Sequence, residues 1–209
     1  MNIYFRYYWS LAVIILFTQC NNSPNSSREN FKPKFPQQDF IADTSSEPVY
    51  DENAIVDESD YNIFSKTGFG AFSIAYPKNW TLVENPNKYI CATFTEINSE
   101  YEFKNNINII VSNNAKSVDA LFTQKSEKQM REVFSDYKIK SKTRVEFKNR
   151  ECLIILSEFT SNETPVIQQQ FFFKSNDSTA YIVTFTYRSI SYAEEKEAIN
   201  QIINSFKFR

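Results

Sequence analysis

Ala180-Tyr181-Ile182-Val183-Thr184-Phe185-Thr186-Tyr187-Arg188, followed by Ser191-Tyr192-Ala193-Glu194 and a run to Phe206, hold two periodicities side by side. In the first stretch Tyr181, Val183, Phe185 and Tyr187 recur at spacing two, which puts four large apolar side chains on one face of a strand. The spacing then changes. Ser191 stands three residues before Glu194, the reciprocal capping-box arrangement, and Ala198, Ile199, Ile202, Ile203 and Phe206 make the apolar stripe of a helix. A strand running into an amphipathic helix sets the theme for the rest of the chain.

Upstream, Phe72, Ile74 and Tyr76 alternate before Pro77, Ile90, Ala92 and Phe94 alternate next, and Ile107, Ile109 and Val111 give a third strand. Val118, Leu121, Phe122, Met130, Val133 and Phe134 then fall on one helical face, with Ser117 placed as its N-cap. Apolar runs over Lys138–Lys148, Cys152–Phe159 and Val166–Lys174 precede the final strand. The reading is an α+β domain: an α/β/α sandwich around a mostly antiparallel sheet of about seven strands, with two main helices. Short turns between consecutive strands are what make the sheet antiparallel. The 21 Ile against 6 Leu, with 20 Phe and 12 Tyr, favour strands as well.

Phe72-Ser73-Ile74-Ala75-Tyr76-Pro77-Lys78-Asn79-Trp80 has the form F-x-I-x-Y-P-x-x-W. Together with the close Tyr181 to Tyr187, Tyr192, Ile199, Ile203 and Ser205-Phe206-Lys207-Phe208, it resembles the PsbP-like and DcrB-like superfamily of domains. The resemblance spans about residues 68 to 209 and implies the sandwich architecture. Its motifs are packing motifs, so it carries over no catalytic residue, cofactor or metal ligand.

The N-terminus reads as an address. Arg6, an apolar stretch from Tyr7 to Phe17 and then Thr18-Gln19-Cys20 follow the order of an export signal. As a helix that stretch is roughly 16 Å long, short of the about 30 Å a stable span needs. It resembles a bacterial lipoprotein signal, which implies cleavage after residue 19 and acylation of Cys20. Residues 20–66 read as a tether holding four of the seven prolines, with nine acids against four bases. Residues 67–209 carry sixteen acids and eighteen bases and contain the long apolar periods. Three segments are expected: signal peptide 1–19, acidic tether 20–66 and globular domain 67–209.

The chain has no histidine, which excludes the Ser-His-Asp triad, Cys-His proteases and His-ligated metal centres. Only Gly68 and Gly70 occur, so no phosphate-cradling glycine loop can be written, and a formal net charge of −2 argues against nucleic acid. The acidic run from Asp57 fails as a calcium loop, because Asn62 and Gly68 stand where Gly and Glu are required. Glu100 with Glu102, and Glu194, Glu195 and Glu197, read as turn and helix-start residues in no apolar frame. No cofactor and no metal site are expected.

Two further features stand out. Cys91 and Cys152 lie in expected strands of an exported chain, where a disulfide is possible and two buried thiols are the alternative. Lys138, Lys140, Lys142, Arg144 and Lys148 alternate with apolar residues and would line one strand face. That face is either an anion-docking surface or an edge strand guarded by lysine. The functional expectation is a membrane-anchored bacterial envelope lipoprotein facing periplasm or exterior, with a non-catalytic module for an envelope protein partner. A carrier of a small apolar ligand held between sheet and helices is the alternative, and a histidine-free hydrolase the third reading.

Overall fold

The structure is a computed structural model and describes residues 59–209, apart from 88, 98–99, 114–116, 123 and 175–178. Its elements are β1 (Tyr61–Lys66), β2 (Phe72–Pro77), β3 (Trp80–Glu84), β4 (Ala92–Glu96), β5 (Asn106–Ser112), α1 (Gln124–Val133), β6 (Lys138–Glu146), β7 (Glu151–Ser161), β8 (Thr164–Lys174), β9 (Ala180–Arg188), α2 (Ser189–Ser205) and β10 (Lys207–Phe208). Seven strands form one sheet in the order β3-β4-β5-β9-β8-β7-β6, and three form a second in the order β1-β2-β10. Neighbouring strands pair antiparallel throughout. The fold is α+β.

The expected seven-stranded sheet is present, with one exchange of members. Phe72–Pro77 belongs to the small sheet, and β3 takes the seventh place in the large one. β3 is a short edge strand whose Val83 is exposed, so its sequence shows little alternation.

The two faces of the large sheet differ. Its inner face carries Phe94, Ile107, Ile109, Ile154, Phe171, Phe173, Val183 and Phe185, packed against Phe72 and Ile74 of β2 and Ile199, Ile202, Ile203 and Phe206 at the end of the chain. Phe206 stacks on Phe72 at 5.1 Å and meets Phe173 edge-on at 5.0 Å. These rings fill the space between sheet and α2, so side chains of the protein itself occupy the place where an apolar cargo would lie. On the outer face, Val118, Leu121 and Phe122 cover Ile110, Phe172 and Ile182. Met130 joins a separate apolar cluster with Phe159 and Val166.

Both expected helix starts are corrected. Ser117 accepts the backbone N–H of Ala120 at 3.2 Å and so closes a turn, while α1 begins only at Gln124. Ser191 lies inside α2, whose N-cap is Arg188, and its hydroxyl donates to the Arg188 carbonyl at 3.1 Å. The tether boundary also moves. β1 pairs along its whole length with β2 and buries Phe64 edge-on against Phe72 and Phe94, each at 5.8 Å. The folded part therefore begins inside the stretch read as tether. The signal segment and Cys20 lie outside the described residues, and no helix among the described residues is long and apolar enough to cross a membrane.

Candidate functional site

The motif from Phe72 to Trp80 carries the chain from the small sheet to the large one. Phe72 and Ile74 point into the core, Pro77 closes β2 at the end of its ladder, and Trp80 opens β3, buried beside Tyr187 at 6.2 Å between centroids. Proline suits that end position because it has no N–H to give to a ladder. The crossing leaves an open cleft of about 450 Å³ lined by Asp60, Tyr61, Pro77, Lys78, Asn79 and Gln201. Its volume falls within the range of small-molecule clefts.

Around the cleft the polar groups are tied to one another. The Tyr61 hydroxyl donates to Gln201 Oε1 at 3.1 Å, and Gln201 Nε2 donates to Glu197 at 3.4 Å. Lys78 Nζ donates to the Ser59 carbonyl at 2.5 Å. Burial first, and then the negative charges of Glu195, Asp60 and Glu197, raise the Tyr61 pKa. Tyr187 is 1% exposed, its hydroxyl has no hydrogen-bond partner among the described groups, and burial holds it protonated. Neither phenol is set up as a base or nucleophile.

A second polar knot stands at the same end. Arg188 is 6% exposed, pairs with Glu96 at 3.1 Å, donates to the Phe103 carbonyl at 3.1 Å and lies 4.3 Å over the Tyr101 ring. Burial raises the Glu195 pKa, with the Glu96 charge adding to it, which corrects for this one glutamate the reading that none of the group is so framed; Glu194 and Glu197 are exposed. The Arg188–Glu96 pair was not foreseen. The available signal was a lone arginine closing a strand of otherwise uncharged residues.

The five cations do not share a face. β6 alternates between exposed and half-buried positions as expected, but its register with β7 shifts between Ile139 and Ser141. Lys142 and Arg144 lie opposite Ile155 and Leu153 on the outer face, whereas Lys138 lies opposite Glu158 on the inner one. Lys138 also borders a hollow of about 170 Å³ with Phe159 and Pro165. Lys140 pairs with Glu158 at 3.3 Å, and Arg144 with Asp119 and Glu151. Lys148 sits in the β6–β7 turn and donates to carbonyls at the end of α2. β6 is the edge strand at the end opposite β3, and lysines plus a bulge are what keep such an edge from adding another strand.

Cys91 and Cys152 are free thiols. Cys91 immediately precedes β4 and Cys152 is in β7, and β5, β9 and β8 stand between those strands. Four strand spacings amount to about 19 Å, far beyond the reach of a disulfide. Burial pushes both thiols up to about 12, so they are protonated packing groups.

An antiparallel seven-stranded sheet carrying one long helix and a small sheet on its inner face defines an α+β domain of PsbP-like form. The model of the family described as "PsbP-like protein" matches residues 38–208, and the chain belongs to that family. Among solved structures it is similar to cyanobacterial PsbP (CyanoP) from Synechocystis, at 12% identity and TM-score 0.55, covering 74% of this chain and 95% of that one. It is also similar to LpqN, involved in cell envelope biogenesis of Mycobacterium tuberculosis, at 7% identity and TM-score 0.51, covering 70% and 90%. The chain matches no curated protein by sequence.

Proposed function

We propose that the chain is a lipid-anchored bacterial envelope protein whose PsbP-like domain is a non-catalytic binding or accessory module. The observation that carries the non-catalytic reading is the state of the reactive groups. The two described thiols are held protonated by burial, and the Tyr61 phenol at the cleft and the buried Tyr187 phenol are pushed further from ionisation. The anchor rests on sequence: Cys20 ends the apolar run from Tyr7 to Phe17 and resembles a lipoprotein acylation site. A single chain gives only marginal membrane binding, so stable anchoring needs two or more acyl chains on that residue. LpqN, which shares the fold, is involved in cell envelope biogenesis, and an envelope location for this chain is in keeping with that.

Detergent partition tests the anchor: the parent enters the detergent phase and Cys20→Ser stays in the aqueous phase. Equal partition overturns it. Native mass spectrometry of the protein taken from its host tests the module. A retained protein partner supports it, and a retained small apolar molecule supports the carrier reading in its place.

A further inference from the structure

β1 is an edge of the small sheet, and the bonds it makes to β2 show which of its groups face away. In an antiparallel pair, opposite residues alternate between those that exchange both backbone hydrogen bonds and those that exchange none. Lys78 N–H donates to the Asp60 carbonyl at 3.0 Å, in register with the ladder, whereas Ala75 N–H turns the other way and donates to Ser205 Oγ at 2.7 Å. Pro77, opposite Tyr61, has no N–H to give. Asn62, Phe64 and Lys66 therefore bond to β2, and Tyr61, Ile63 and Ser65 aim their N–H and C=O groups outward. The edge is accessible, with Ile63 66% exposed. Unlike β6 it carries one lysine, and its register is unbroken.

The chain arrives at that edge through a reversal. Ser59 and Asp60 form a turn just ahead of Tyr61, and Lys78 holds both of its carbonyls, that of Ser59 through Nζ at 2.5 Å. A turn of this length sends the residues before it back antiparallel to β1, with Glu58 opposite Tyr61. Continued, the register puts Val56 opposite Ile63 and Ala54 opposite Ser65, so the bonded pairs fall on the three residues whose backbone groups face outward. The side chains fit the same register. Val56 would stand against the exposed Ile63 as a β-branched cross-strand pair, and Ile55 would come to the face that carries Phe64. Asp51 and Glu52 would arrive at the Lys66 end. The family match begins at residue 38, so the family domain takes in this stretch.

We infer that the β1 edge is the docking site of the chain's own residues 53–58, which lie outside the described residues and add there as one more strand of the small sheet. Attachment decides the occupant. A strand from a second copy or from a partner would compete with a segment joined to the edge by the Ser59–Asp60 turn alone, whose effective concentration is on the order of millimolar or higher. Two consequences follow. The edge of the small sheet passes to a segment bearing Asp57 and Glu58, charges that discourage a further strand as the lysines of β6 do on the large sheet. The free tether ends near residue 52 in place of 66, which shortens the reach of the domain from its point of attachment. The inference holds whether or not Cys20 carries lipid.

Amide hydrogen exchange of the full chain in detergent, read residue by residue by NMR, tests it. Asn62, Phe64 and Lys66 bond to β2 and exchange slowly in either case, which makes them the internal control. Tyr61, Ile63 and Ser65 are expected to exchange slowly as well, at least about a hundredfold below exposed amides, at rates that do not change on dilution. Val56→Pro removes the N–H that would meet the Ile63 carbonyl, and is expected to speed Ile63 and Ser65 at least about tenfold while Asn62 and Phe64 stay slow. If that proline also frees Asn62 and Phe64, Ala54→Pro, farther from the turn, carries the same expectation for Ser65. Val49→Pro, beyond the docked stretch, leaves all six amides as they are. Fast exchange at Tyr61, Ile63 and Ser65 in the parent, protection that disappears on dilution and so belongs to a second copy, or protection that survives the prolines at 54 and 56 overturns the inference.

Discussion

Lys148 Nζ donates to the main-chain carbonyls of Asn204 at 2.5 Å and Phe206 at 2.7 Å, joining the β6–β7 turn to the end of α2. The last carbonyls of a helix have no partner within it, and a cation there also meets the negative end of the helix dipole. The turn that presents the lysine is left-handed, with φ of +51° at Lys148 and +60° at Asn149. Lys148→Met keeps the stem and removes the charge, and is expected to cost about 1 kcal/mol in denaturant unfolding. A cost indistinguishable from zero would mean that water caps the helix equally well.

The other cations of β6 differ in kind. Lys142 is exposed and Lys140 pairs with Glu158 at a partly solvated site, where an ion pair is worth little. Lys140→Gln with Lys142→Gln is expected to change stability by no more than about 0.5 kcal/mol. The same variant is expected to promote concentration-dependent association, because it unguards the edge. Light scattering against concentration reads this directly, and an unchanged monomer at high concentration removes the edge-guard account.

Glu195 gives a pH signature whose sign is fixed by burial. Its pKa is raised in the folded state, so folding favours the protonated form, and the carboxylate works against the fold once pH exceeds the raised value. Glu195→Gln is therefore expected to raise the thermal midpoint at about pH 7. The gain closes at about pH 3, below the ordinary carboxylate range, where parent and variant are both neutral there. A gain that is the same at both pH values would point to packing and not to charge.

Where the sequence is readable, a side-chain period marks the face turned to the main core: Tyr181, Val183, Phe185 and Tyr187 of β9 face the same core as Ile199, Ile202 and Ile203 of α2, although β9 is buried on its other face as well. What stayed hidden depends on pairing. A single bulge at Lys140 moves Lys138 to the face opposite Lys142, and no spacing along β6 records it. Cys91 and Cys152 look alike as strand cysteines, yet the order of the sheet puts three strands between theirs. A row of uncharged polar side chains across the large sheet is hidden for the same reason: Thr93, Asn108, Thr184 and Gln170 come from four strands and align only in register.

The start of the folded unit gives the sharpest test. β1 looks polar in sequence, as Tyr61-Asn62-Ile63-Phe64-Ser65-Lys66, and only Phe64 is buried in it. That one ring meets Phe72 and Phe94, the Asp60 carbonyl accepts the Lys78 N–H at 3.0 Å, and Tyr61 reaches Gln201 across the cleft. Losing a buried phenylalanine costs about 3–5 kcal/mol, a large fraction of the about 5–15 kcal/mol that holds a domain together. Deleting residues 1–37, which lie before the family match, is expected to leave the thermal midpoint near that of the parent. Deleting residues 1–66 removes β1 and is expected to lower the midpoint by roughly 10 °C or more, or to abolish the cooperative transition. Phe64→Ala in the longer chain reproduces most of that loss without shortening anything. Equal midpoints for the two truncations would return the boundary to Lys66 and make β1 an ornament on a core complete without it.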